Sequence, residues 1–225
     1  MLSDGSLLAV FGEIPLTVFL TGSGVLTMYA TRSTDGGRTW SPAVKVARDL
    51  LSNIVDPDHQ STVYEVHCCV FSLAAGPDRS AHLSWSTTHG VNAGDVWVTS
   101  TSNAGRTWSA PSDIHRSAQV FQPTLAVSAK AGLALTWYDF TGHTPGANQL
   151  LTRLWVARSF DGGTTWTIRR LAGPFDMRTA APVGAGYLGD FQSLVPVSDG
   201  FEAAFTLAEP QAQHGPTDIF AEAVP

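Results

Sequence analysis

The sequence predicts an all-β fold assembled from repeated small sheets, and three observations carry that prediction. Ser33-Thr34-Asp35-Gly36-Gly37-Arg38-Thr39-Trp40 returns as Ser159-Phe160-Asp161-Gly162-Gly163-Thr164-Thr165-Trp166, with a weaker copy, Thr101-Ser102-Asn103-Ala104-Gly105-Arg106-Thr107-Trp108, between them. The closing tryptophans stand 68 and 58 residues apart, and a fixed recurrence on this scale marks a repeat architecture. Each copy follows a short apolar-aromatic run, Leu26 to Tyr29, Asp95 to Val98 and Arg153 to Val156, of the kind that fits a pleated surface. Seven Trp, 21 Gly and 13 Pro beside only 14% charged residues suit many short strands joined by tight turns.

The repeated octet reads as a fastened turn. A Ser or Thr followed two residues later by Asp or Asn folds its side-chain oxygens onto the turn's own N–H groups. Gly37, Gly105 and Gly163 supply a backbone conformation that a side chain resists. The closing Trp restarts an apolar strand and anchors the turn on the core. Chemistry has no need of one device three times, so Asp35, Asn103 and Asp161 are assigned to turn stabilisation and not to catalysis.

Taking the octet as the turn between a third and a fourth strand phases the rest of the chain. Second strands are expected at Ser6 to Phe11, Ala81 to Ser86, Gly132 to Tyr138 and Phe201 to Thr206, with Phe11, Trp85, Trp137 and Phe205 as equivalent aromatics. First strands are expected at Cys69 to Ala75, Pro123 to Ser128 and Phe191 to Val197, and a last third strand at Asp218 to Val224. The modules then hold three, four, four and three strands. That count implies the C-terminal portion of a longer chain; the alternative is two copies completing a ring. Met1 to Gly5 reads as a hairpin tip, without the basic and long apolar segments of a signal peptide.

Composition excludes several classes. The length of 225 residues suffices for one large all-β domain. A formal net charge of −6 without a basic stripe argues against a nucleic-acid partner. No apolar run approaches the roughly 18 residues that cross a bilayer. Cys68 and Cys69 are adjacent within an apolar run and read as a buried reduced pair, since a disulfide holds its Cα atoms about 5.5 Å apart. His67 in the same run reads as a core residue. No cofactor is expected, and no short His spacing suggests a metal.

The octet S-x-D-x-G-x-T-W resembles the Asp-box, or bacterial neuraminidase repeat, of the sialidase-like β-propellers. Segments such as Phe121 to Val127, Thr136 to Phe140, Leu171 to Asp176 and Gly189 to Gln192 also look like bacterial sialidase-family proteins of uncertain activity. The resemblance implies an incomplete sialidase-type propeller over residues 1–225. Its four-stranded blades fall at about 4–50, 66–115, 119–172 and 188–225. It also implies a carbohydrate ligand and secretion. An incomplete ring leaves strand edges open, so self-association is expected.

In such a propeller the Asp-boxes mark one end, and the loops between second and third strands share the other end with the links between blades. Concave mouths favour ligands. Asp139 ends a strand at that rim, beside Tyr138; Tyr187 and Asp190 enter a first strand through Gly189; Arg178 lies upstream in the same link; Glu13 follows Gly12 after a second strand. Asp139, Tyr187, Asp190 and Glu13 are the catalytic candidates, and Arg178 and Tyr138 the substrate-binding ones. Sialidases use a Tyr–Glu nucleophile pair, an Asp acid/base and an arginine triad whose first member lies in a Phe/Tyr-Arg-Ile-Pro motif. Here only Glu13-Ile14-Pro15 is similar, with Glu in place of Arg. The resemblance therefore leaves three readings open: an exo-sialidase-type glycoside hydrolase, a non-catalytic glycan- or protein-binding propeller, or an inactive fragment.

Overall fold

The computed structural model describes residues 1–64, 71–90, 93–181, 186–190, 192–211, 213 and 215–225. Cys68, Cys69 and His67 lie outside them. Four antiparallel meanders follow one another along the chain. The first is β1 (Leu7–Glu13), β2 (Ser23–Ser33) and β3 (Val44–Ser52), with a single-turn helix α1 (Val18–Thr21) between β1 and β2. A two-stranded hairpin, β4 (Ile54–Val55) and β5 (Thr62–Tyr64), leads on to the second sheet. That sheet is β6 (Phe71–Ala75), β7 (Ala81–Thr88), β8 (Gly94–Thr101) and β9 (Ser112–Ser117). The third is β10 (Val120–Ser128), β11 (Gly132–Asp139), β12 (Leu151–Ser159) and β13 (Thr167–Asp176). The fourth is β14 (Ser193–Pro196), β15 (Phe201–Ala208) and β16 (Thr217–Val224). The expected strand count of three, four, four and three is met; the β4–β5 hairpin was not expected.

One aromatic pair recurs in register across all four sheets: Phe11 opposite Tyr29, Trp85 opposite Trp97, Trp137 opposite Trp155 and Phe205 opposite Phe220. Three of these pairs stack, with ring centroids 5.7, 6.4 and 6.3 Å apart. Directly opposed aromatics fix register, because a slip of one residue would send each ring to the other face.

The octets join β2 to β3, β8 to β9 and β12 to β13, and all three use one hydrogen-bond scheme. In the first, Ser33 Oγ donates to Asp35 Oδ1 (2.8 Å) and accepts from the Gly37 N–H (2.8 Å), while Asp35 accepts from the Thr39 N–H (2.9 Å) and hydroxyl (2.6 Å). The third repeats this with Ser159, Asp161, Gly163 and Thr165. In the second, Asn103 reverses one bond and donates from Nδ2 to Thr107 Oγ1 (2.8 Å). These bonds hold the Asp35 and Asp161 carboxyls down at about 2, the largest contribution coming from Thr39 and Thr165.

The core lies between successive sheets. Leu26 and Met28 meet Leu83 and Trp85; Val96 and Val98 meet Leu133, Leu135 and Trp137; Ala134 and Leu154 meet Phe201 and Phe205. The third sheet is thus covered on both faces, which is why β11 is apolar at nearly every position instead of alternating. Its odd-numbered side chains face the second sheet and its even-numbered ones the fourth.

Candidate functional site

The inner strands are tied together at the end opposite the octets. Gln122, at a positive φ of 52°, donates from Nε2 to the Gly189 carbonyl, and Gln192 Nε2 donates to the Gln122 carbonyl. These bonds fasten the entry to β14 against the start of β10. Upstream, Asp176 caps the 3-10 turn Met177–Thr179 by accepting from the Arg178 N–H (3.1 Å), and a β-bridge pairs Ala181 with Tyr187. Gly186 allows the approach, since a Cβ there would lie 2.2 Å from the Met177 carbonyl oxygen.

That frame brings two of the candidates together. The Tyr187 hydroxyl hydrogen-bonds the Asp190 carboxylate, and this bond, with burial and the carboxylate's charge, raises the phenol above its ordinary value. Both side chains are half-buried. A phenol hydrogen-bonded to a carboxylate has an acceptor in place for its proton.

The other candidates are engaged elsewhere. Asp139 does not reach the rim. It is fully buried and faces the second sheet, where its carboxylate accepts from the Thr141 N–H (3.0 Å) and hydroxyl (2.8 Å) and lies 3.5 Å from His115 Nε2. Burial alone would raise this carboxyl, but those partners bring it below the usual range. Tyr138, on the opposite face of β11, is buried, donates to the Thr206 carbonyl (2.8 Å) and accepts from the Thr206 N–H (3.2 Å). It fastens the third sheet to the fourth instead of meeting a ligand.

Arg178 is likewise committed. Its Nε and Nη2 bond the two oxygens of Asp56 (2.6 and 2.8 Å), Nη2 also bonds Asp58 (2.7 Å), and Nη1 donates to the Ala147 carbonyl (2.7 Å). Glu13 is exposed at the end of β1. It hydrogen-bonds Tyr29 on the face of the first sheet opposite Leu26 and Met28, two sheets away in chain order from Tyr187.

Sequence reasoning missed the glutamines. Gln119, buried and at a φ of 33°, forms a two-way amide bond with Val55 (2.8 Å each way), tying the β4–β5 hairpin to the third sheet. It also missed Asp95, fully buried between His89 Nε2 (2.7 Å) and Arg116 Nε (2.6 Å). Among the described residues no group of His, Cys, Asp or Glu is arranged to hold a metal ion. No helix among them is long and apolar enough to cross a membrane.

No family model matches the chain, and no curated protein matches its sequence. Solved structures do match. The Hadza microbial sialidase Hz136 superposes with a TM-score of 0.56 over 99% of this chain and 43% of its own, at 13% identity. A mutant of the α-L-arabinofuranosidase arb93a from Fusarium graminearum, bound to an iminosugar inhibitor, gives 0.55 over 96% and 59%, at 13% identity. The Penicillium chrysogenum α-L-arabinanase complexed with arabinobiose gives 0.52 over 99% and 65%, at 12% identity. The fold is that of a sialidase-type β-propeller. The chain spans about half the length of these three structures, between 43% and 65%, so the propeller here is incomplete. Within a propeller blade the chain reverses at each strand, so the octets share one end, and the link carrying Tyr187 and Asp190 opens at the other.

Proposed function

We propose that this chain is part of a carbohydrate-active propeller, in full-length form a secreted, retaining glycoside hydrolase of exo-sialidase type, with its four sheets forming one domain. The hydrogen-bonded pair of Tyr187 and Asp190 carries this reading. Tyr187 attacks the anomeric carbon as its proton passes to Asp190, giving a glycosyl–tyrosyl intermediate that water then releases through an oxocarbenium-like transition state. A second carboxyl must protonate the leaving oxygen. The burial of Asp139 and the outward face of Glu13 argue against both for that role.

The test is release of a fluorogenic aglycone from an α-sialoside and an α-L-arabinofuranoside, using the chain and its parent-length form. Tyr187→Phe and Asp190→Asn should each abolish release while leaving the melting temperature unchanged. Release that survives both substitutions would sink the assignment.

The commitment of Arg178 favours a second reading, a propeller that binds glycan without cleaving it, because four of its five N–H donors are taken and the one left cannot grip a sugar carboxylate with two bonds. Glycan binding without turnover by the parent-length protein would decide for it.

A further inference from the structure

The octet end of the propeller, remote from Tyr187 and Asp190, holds a cleft of about 610 Å³ between the second and third sheets, within the range of small-molecule sites. Trp108 forms one wall, and the turn before β11, through Ser128 and Ala129, forms the other. Ser100, Ser102 and Ser109 supply hydroxyls along the same lining. Every lining side chain is uncharged. His82 is no exception, because burial lowers its imidazole and keeps it neutral.

Two lining groups are buried without hydrogen-bond partners: His82 Nδ1, on a side chain that is 8% exposed, and Trp108 Nε1. Both atoms lie beneath the lining surface, so the hydroxyls and the indole face are what the cleft presents. The equivalent cleft between the first and second sheets, of about 600 Å³, has the same plan with Trp40 on its wall but carries Arg32 and Arg106. Chain position sets the plan, and the side chains set the charge.

We propose that the cleft between the second and third sheets is a second saccharide site, specific for an uncharged sugar unit. A pyranose or furanose presents an apolar C–H face and a rim of hydroxyls. The indole offers a flat apolar wall, and the serine hydroxyls offer donors and acceptors to the rim. With no cation in the lining, an anionic sugar would be desolvated without compensation. The site is independent of the chemistry proposed for Tyr187.

The test is titration calorimetry of the full chain with maltose, lactose, xylobiose and arabinobiose, and with 3′-sialyllactose as the anionic probe. Ser102→Phe blocks the cleft at a turn position where the third octet already carries Phe160, 74% exposed, so the turn accepts it. Ala129→Trp blocks the opposite wall from an exposed site. The proposal expects at least one neutral disaccharide to bind. That binding should fall at least about tenfold, or 1.4 kcal/mol, in either blocking variant and stay unchanged in Asp190→Asn. Binding of none of the four, binding indifferent to both blocking variants, or binding lost with Asp190 would each overturn it. So would blocked binding of sialyllactose alone.

Discussion

Arg178 grips Asp56 through a two-pronged bond, 2.6 and 2.8 Å, across 122 residues of sequence. Asp56 is 1% exposed and also bonds His59 Nδ1 at 2.9 Å. Burial alone would raise its carboxyl, but the bonds from Arg178 and His59 hold it well below the usual carboxylate range. The pair therefore pins the β4–β5 hairpin, which leaves the first sheet, onto the link that leaves the third.

Removing one partner of a buried pair strands the other charge. Arg178→Ala should cost about 3 kcal/mol or more in chemical denaturation, and Arg178→Lys less, since the charge remains while the two-pronged fork is lost. A ligand-binding arginine would behave differently: its loss would weaken binding and leave stability intact. An Arg178→Ala variant as stable as the parent would return Arg178 to the list of ligand-binding residues.

Tyr138 joins two sheets through both hydrogen-bonding functions of its hydroxyl. Tyr138→Phe keeps the ring but leaves the Thr206 carbonyl and N–H without that partner. The expected loss is about 1–3 kcal/mol in urea unfolding, with glycan binding unchanged. An effect confined to binding would show that the hydroxyl faces a ligand.

The difference between what was legible and what was not follows from where each signal resides. The strand order and one aromatic of each pair could be read because an octet marks the phase of each module and Phe11, Trp85, Trp137 and Phe205 recur in step with it. The fates of Tyr138, Asp139 and Arg178 could not be read. A polar residue at a strand end looks the same whether it points to solvent or inward, and the deciding partners lie far off, Thr206 68 residues away and Asp56 122. In the case of Asp139 the alternation along β11 was the available clue: Asp139 shares a face with Trp137, which is fully buried. The β4–β5 hairpin has strands too short to show a period, though Asp56-Pro57-Asp58 is a turn signal.

The three octets form a natural series on one scaffold. Asp161→Ala removes the acceptor for Ser159 and for both donors of Thr165, and the melting temperature should fall by several degrees. Asn103→Asp should leave it nearly unchanged at neutral pH, because the Thr107 hydroxyl need only turn from accepting to donating. Equal losses from the two substitutions in calorimetry would show that the scheme is not what stabilises these turns.

Among the described residues β16 pairs on one side only, and it carries Ile219, 76% exposed, and Phe220, 36% exposed. At the other end Phe11 is 45% exposed on β1, which also pairs on one side. Unprotected edges with apolar side chains recruit further strands. Sedimentation velocity should show concentration-dependent association of the isolated chain, reduced by Ile219→Lys. A monodisperse monomer at every concentration would contradict this.

Acid should unfold the protein in two stages, with the sign fixed by which state holds more protons. Burial lowers His82 below its ordinary 6.5, so the unfolded chain binds a proton first. Stability from this source is full above about pH 6.5 and declines as pH falls. The second stage belongs to the aspartates. Asp35 and Asp161 titrate at about 2 in the folded state instead of 3.8, and Asp4, Asp56, Asp58 and Asp139 are also lowered. Their contribution is full above about pH 4 and is lost as pH falls toward 2. Asp113 is shifted the other way, raised by burial and by Asp95, and offsets a small part of the loss. Melting temperature against pH should therefore show a shallow decline below pH 6.5 and a steep one below 4. His82→Gln should remove the first and leave the second. A single decline centred near pH 6 in both proteins would show that histidines, and not the fastened aspartates, set the acid limit.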